Sequence, residues 1–275
     1  MRGKLNWLQR VLPEGLIVDS GWLEQHDISR QLRHKYVAHG WLLPLARGVY
    51  CKSCVPDEIS SIQWQDLLIS LNTLHNLPAA AGARTALELH GFSHYLSSAV
   101  REAHLYANGK FPGWVLRVPL DTRLALHNAR KLFKGGDVPA YPAKEDVAFP
   151  PEVSGFTQQE WRRSKYPLIL STPERAILEI LDELPQRETF HQVDVLMDGL
   201  RNLSPRRLQA LLSDCNSVKV KRLFFLFAER HNHAWLRKLD PSAIDLGKGR
   251  RMLVRGGKLD PKYNITVPEN FDASV

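Results

Sequence analysis

Cysteine is scarce: Cys51, Cys54 and Cys215 are the only three in 275 residues. So sparse and odd a set cannot supply a disulfide framework, and the expected compartment is the cytoplasm. No apolar run approaches the roughly 18–20 residues that cross a bilayer as a helix. The stretch before Gly15 is basic but holds no long apolar segment, so no secretory signal is expected. Internal repeats and low-complexity tracts are missing too. Enzyme signatures are also lacking: the sequence holds no GxxxxGK[ST], HExxH, GxSxG or GxGxxG. No catalytic residue, cofactor or metal is therefore expected. Cys51 and Cys54 have the spacing of half a zinc site, but a closed site needs two further ligands, and no histidine pair follows at finger-like spacing. Asp137, Glu145 and Asp146 are scattered acids around a loop, a poor strand context for a metal-dependent nuclease.

What is present is enough apolar material for a sizeable core, at 44% hydrophobic and 24% charged residues. The length points to more than one domain. The net charge of +8 favours a polyanionic partner. Its distribution is uneven: +4 over residues 1–56, −4 over 57–200, +10 over 201–262 and −2 beyond. Both ends are basic and the middle is mildly acidic.

The chain reads as α+β. Residues 1–56 have the order helix, helix, turn, helix, hairpin, expected of a winged helix-turn-helix DNA-binding domain. Leu5, Leu8 and Leu12 share one side of a first helix, Ser20 caps a second, and Ser29 caps a third that Gly40 stops. Two short strands follow around Ala46-Arg47-Gly48, and Pro56 suits a connector. The rest, 57–275, is a larger mixed domain with a mainly helical C-terminal part and a possible subdivision near residue 170. It is expected to open with a helix over Ile59–Leu77, then one at Ala83–His90. Strands are expected at His104–Ala107, Trp114–Val118 and Val147–Phe149, the first two joined by an Asn108-Gly109 turn. A further strand, Leu168–Leu170, leads into a helix with a capping-box start at Ser171–Glu174. Helices near His191–Leu200, Pro205–Asp214 and Val218–Glu229 and a closing hairpin complete the chain.

A recognition helix needs long polar side chains opposite its core stripe. With Leu32, Tyr36 and Val37 inward, Arg30, Gln31, Arg33 and His34 are the candidates for bases. Arg can pair with guanine and Gln with adenine through two hydrogen bonds. Lys35, Arg47 at the wing tip and the amides near Ser29 are candidates for phosphates. A second basic array holds Arg206, Arg207, Lys219, Arg222, Arg250, Arg251, Arg255 and Lys258. Ten excess positive charges over this region exceed what solubility needs, so an anionic partner (DNA, RNA or an acidic protein) is expected.

The run ISRQLRHKYVAHGWLLPLARGVYC, Ile28–Cys51, resembles the N-terminal domain of AbiEi-family antitoxins, with Arg47, Gly48, Val49 and Tyr50 in the places of the family's Arg-Gly-Val-Tyr close. ARTALELHGF (Ala83–Phe92), STPERAILEIL (Ser171–Leu181) and GKGRRMLVRGGKLDPKYNITVP (Gly247–Pro268) are similar to further family segments in the same order. The resemblance implies an antitoxin of a type IV toxin–antitoxin, abortive-infection system. It also implies repression of its own operon at promoter inverted repeats, and a functional partner, AbiEii, that is a nucleotidyltransferase-like toxin. A stable complex with that toxin is not required. Rival readings are a winged-helix-targeted DNA-processing nuclease and a ligand-responsive transcription factor.

Overall fold

The computed structural model describes residues 2–52, 62–92, 102–141, 155–161, 164–269 and 271. Helix α1, Arg2–Val11, buries Leu8 and ends before Leu12, which is also fully buried. Strand β1, Ile17–Asp19, precedes two short helices, α2 over Ser20–Gln25 and α3 over Arg30–Ala38. Asp19 caps α2 by accepting from the Trp22 amide at 2.9 Å, in place of the expected Ser20. Ser29 caps α3 as expected, accepting from the Leu32 amide at 3.3 Å. Strands β2, Leu42–Ala46, and β3, Val49–Lys52, form a hairpin, and β1 pairs antiparallel with the other edge of β3. The helix, strand, helix, helix, hairpin order thus adds one strand to the expected sequence of elements.

The larger body is built on a five-stranded mixed sheet, ordered β6-β5-β4-β8-β7. Its strands are β4 (Ala79–Ala81), β5 (Glu102–Ala107), β6 (Arg123–Asn128), β7 (Phe156–Gln159) and β8 (Leu168–Ser171). Alternation sends neighbouring side chains to opposite faces. Ala80, Tyr106 and Ile169 join one core with α5 (Ala83–Leu89), α6 (Pro173–Glu183), α7 (Phe190–Gly199), α8 (Pro205–Asp214) and α9 (Val218–His231). Ala79, Ala81, Leu105, Leu168 and Leu170 join the opposite core with Leu8, Leu12, Trp22 and Leu23. Helix α4, Trp64–Thr73, lies between this face and the N-terminal unit. Its Ser70 hydroxyl accepts from the Ile17 amide at 2.8 Å, and His75 Nε2 lies 3.2 Å from the Ile17 carbonyl. The free edge of β1 is therefore satisfied by side chains of the larger body. A small sheet of β9 (Arg251–Met252), β10 (Lys258–Asp260) and β11 (Ile265–Val267), ordered β10-β11-β9, closes the fold.

Three expectations need correction. The first helix of the larger body starts at Trp64 rather than Ile59, which lies outside the described residues. Trp114–Val118 is not a strand: Val115–Arg117 forms a single 3-10 turn, and Trp114, Val115 and Val118 pack down against Leu67 and Leu71 of α4. Asn108-Gly109 is accordingly not a hairpin turn. The Asn108 amide brackets Val138 instead, donating to its carbonyl at 2.7 Å and accepting from its amide at 2.6 Å. The strand that follows β5 is β6, which pairs with it in parallel from Glu102↔Arg123 to Ala107↔Asn128 on the edge opposite β4. Val147–Phe149, Cys54, Glu145 and Asp146 lie outside the described residues.

Candidate nucleic-acid interface

Helix α3 turns one stripe inward, made of Leu32, Arg33, Tyr36 and Val37. Arg33 and Tyr36 are buried. The opposite face exposes Arg30, Gln31, His34 and Lys35, and holds no acidic residue. The Ser29 hydroxyl is occupied by its capping bond, which leaves the amides of the first turn as its contribution to an anion site.

Arg33 is a correction to the set of base readers. Its side chain is 6% exposed, and Nη1 donates to Glu24 at 2.8 Å, to the Ile28 carbonyl at 3.3 Å and to the Ser20 carbonyl at 3.4 Å. It ties α2 to α3 and cannot reach a base edge. A sign of this stands in the sequence, since Arg33 precedes Tyr36 and Val37 by three and four residues, within the inward stripe.

Arg47 is exposed at the hairpin tip beside Gly48, whose φ of +73° suits glycine. The Gly48 carbonyl accepts from the Ser20 amide at 2.9 Å and the Ser20 hydroxyl at 3.3 Å. The hairpin tip is thereby pinned to the start of α2, at a set position relative to α3.

The C-terminal array divides. Arg206, Arg250, Arg251, Arg255 and Lys258 are exposed. Arg207, Lys219 and Arg222 are corrections, because their charges serve the interior. Arg207 pairs with Glu174 at 2.8 Å, and that carboxylate also accepts from the Ser204 amide at 2.7 Å. Lys219 donates to the Leu184 carbonyl at 3.0 Å and lies 3.4 Å from the Asp182 carboxylate. Arg222, 2% exposed, donates to the carbonyls of Leu246, Gly247, Gly249 and Asn264 at 2.7–3.1 Å. Lys248, exposed between Gly247 and Gly249, was not among the sequence candidates; its flanking glycines are the signal that marks it.

The motif residues of the middle segments are structural. Arg175 and Glu179 are a fully buried pair at 2.8 Å. The guanidinium stacks on Phe133 and Phe156, 4.4 and 4.0 Å from their ring centres. Glu179 also accepts from the Ala83 amide at 2.8 Å, which holds the start of α5. Arg84 of α5 pairs with buried Glu188. Such pairs specify which elements meet more than they add net stability.

A polar cleft of about 160 Å³ lies at the ends of β5, β6 and α6, lined in part by Tyr106, His127, Lys131, Asp182 and Glu183. His104 Nδ1 lies 3.2 Å from His127 Nε2. Burial first, then the neighbouring His127 and arginine charges, pushes His104 down to about 3. Burial, then Arg187, pushes His127 down to about 4. Both rings are neutral at pH 7, so the 3.5 Å approach of His127 to Glu183 is a polar contact rather than an ion pair. Among the described residues no group of three His, Cys, Asp or Glu side chains is placed to hold a metal. Cys51 is buried within β3, and Asp137 pairs with Arg130. No helix among the described residues is long and apolar enough to cross a membrane.

The crystal structure of the RV2827C protein from Mycobacterium tuberculosis is similar in fold, with a TM-score of 0.51 and 14% identity over 95% of this chain and 88% of that one. No curated protein matches the chain. The pattern described as the AbiEi antitoxin N-terminal domain of a transcriptional regulator matches residues 1–98. That of the transcriptional regulator, AbiEi antitoxin, type IV toxin–antitoxin system matches residues 101–268. Between them they span nearly the whole chain, which belongs to the AbiEi family of antitoxin transcriptional regulators of type IV toxin–antitoxin systems.

Proposed function

We propose that the N-terminal unit, residues 1–56, is a winged helix-turn-helix that reads promoter DNA with α3 in the major groove. Arg30, Gln31 and His34 read bases, while Lys35, Arg47 and the first-turn amides after Ser29 hold phosphates. The observation that carries this is the exposed, acid-free face of a capped α3 beside a wing tip pinned by Ser20 and Gly48. Two copies on inverted repeats would repress the protein's own operon. Residues 57–275 act as the antitoxin domain against an AbiEii-like nucleotidyltransferase, without need of a stable complex. In this reading the protein works in the cytoplasm and is not an enzyme. Exposed Arg206, Arg250, Arg251, Arg255 and Lys258 serve an anionic partner.

Footprinting on the protein's own promoter tests the first role. Protection of paired repeats, abolished in the Arg30→Ala/Gln31→Ala variant, is the expected result. Growth rescue against the product of the adjacent gene tests the second. Unprotected repeats would sink the repressor reading, and absence of rescue would sink the antitoxin reading.

A further inference from the structure

The loop Gly247–Arg251 is built around Arg222. Three of its neighbouring carbonyls, those of Leu246, Gly247 and Gly249, turn inward to one buried guanidinium. A trans peptide is planar, with the N–H of each following residue opposite the carbonyl. The amides of Gly247, Lys248 and Arg250 therefore point away from Arg222. The Gly247 amide is taken up by the Asp245 carboxylate at 2.8 Å. Those of Lys248 and Arg250 have no acceptor among the described residues.

The glycines explain how this backbone is reached. Gly247 has φ +65°, and a Cβ there would lie 2.9 Å from the Val218 side chain. Gly249 has φ +78°, with open space where a Cβ would stand. The side chains of Lys248, Arg250 and Arg251 in the same loop are exposed, as are Arg255 in the turn that follows and Lys258 on β10. The Asp245 carboxylate is the acid bonded within the loop. Outward amides beside a left-handed residue form an anion-binding concavity.

We propose that Gly247–Arg251 is a phosphate-binding loop for a nucleic-acid backbone, preorganised by Arg222. It shares with the reading above the premise that the protein meets nucleic acid, but uses none of its base-reading residues. The ligand group is a phosphodiester, held by the amides of Lys248 and Arg250 and by the surrounding cations. The positive array continues past the space of one phosphate, which fits a polymer better than a free ion.

Amide-resolved NMR of the full chain tests this, with a 16-base-pair duplex, an RNA of equal length, inorganic phosphate and oligoglutamate as separate probes. With the duplex or the RNA, the Lys248 and Arg250 amides shift and saturate; the tighter of the two identifies the polymer. Inorganic phosphate moves the same amides only at much higher concentration. The Lys248→Gln/Arg250→Gln/Arg251→Gln variant leaves Arg222 and the fold intact. Its log–log salt slope of binding falls by about 1 for each phosphate it no longer neutralises. Silent loop amides during saturation by either nucleic acid would overturn the proposal. So would an equal response to oligoglutamate. Loop shifts without shifts at Arg30 and Gln31 would refute the reading of α3 while leaving this one standing.

Discussion

Arg33 lies between Arg30 and His34 in a run that is basic throughout, yet its charge points inward. Removing it takes a buried donor from the Ile28 carbonyl, at a cost of about 1–3 kcal/mol, and loosens the tie to the Ser20 carbonyl. Arg33→Met should therefore lower the melting temperature while leaving the salt slope of DNA binding unchanged. Arg30→Ala should do the reverse. Removing one bidentate bond to a base weakens operator binding by about 1–3 kcal/mol, with no change in melting temperature. Thermal denaturation and operator titrations on both variants check the pair, and equal effects on both readouts would contradict the assignment. The division is only half legible in the sequence. Helical spacing puts residue 33 in the apolar stripe, but composition draws attention to its charge. Arg222 is harder to recognise, because its partners are carbonyls some 24–42 residues away that no local pattern announces.

At the scale of elements, helices are more legible than strands. Helix α6 starts at Pro173 as the early proline suggests, but the expected capping box does not form: Thr172 is the N-cap and makes no side-chain cap bond, and Glu174 turns to Arg207 and the Ser204 amide instead. Its apolar run, with Ile177, Leu178 and Leu181 buried, still marks the element. Strand β6 is six residues long but carries Arg123, His127 and Asn128, and it pairs on one side with a strand that begins 21 residues before it. Parallel pairing of that kind depends on contacts distant in sequence. The β5–β6 pair nevertheless sets a pH dependence. His104 and His127 bind protons at about 6.5 when unfolded, but only at about 3 and about 4 when folded. Between pH 4 and 6.5 the unfolded chain holds more protons, so stability rises with pH across that window. The contribution is complete above pH 6.5 and is lost as pH falls through about 4 for His127 and about 3 for His104. Melting temperatures measured across this range should show the slope, and His127→Gln should flatten it; an unaltered slope in that variant would count against this account. The wing gives another prediction at this scale. Arg47→Gln should reduce the salt slope by about 1, since it removes one phosphate partner from a tip whose position Ser20 and Gly48 maintain.

The whole molecule is cut differently by sequence family and by packing. The N-terminal family pattern ends at residue 98 and the second begins at 101. Strand β4, Ala79–Ala81, lies on the first side of that division but is the central strand of the sheet, between β5 and β8. Its two ladders, antiparallel to β5 and parallel to β8, would both be severed. The buried face of the N-terminal unit would be stripped of Leu105, Leu168 and Leu170 at the same cut. A fragment of residues 101–275 would then expose two unpaired strand edges and an apolar sheet face, the combination that leads to aggregation. A fragment of residues 1–98 would keep β4 with no strand beside it. Neither piece should fold alone, and the intact chain should unfold in one transition in which DNA-binding and C-terminal elements melt together. Differential scanning calorimetry of the full chain and circular dichroism of both fragments decide this. A cooperative melt from either fragment would show that the family division is also a folding division. If the prediction holds, antitoxin activity has to be mapped with point substitutions in the whole chain. Ser70→Ala is the most informative of these, because it removes the Ile17 acceptor from the joint between the two parts. It should cost about 1–3 kcal/mol of stability by leaving a buried amide unpaired. Operator affinity, measured well below the transition, should stay unchanged.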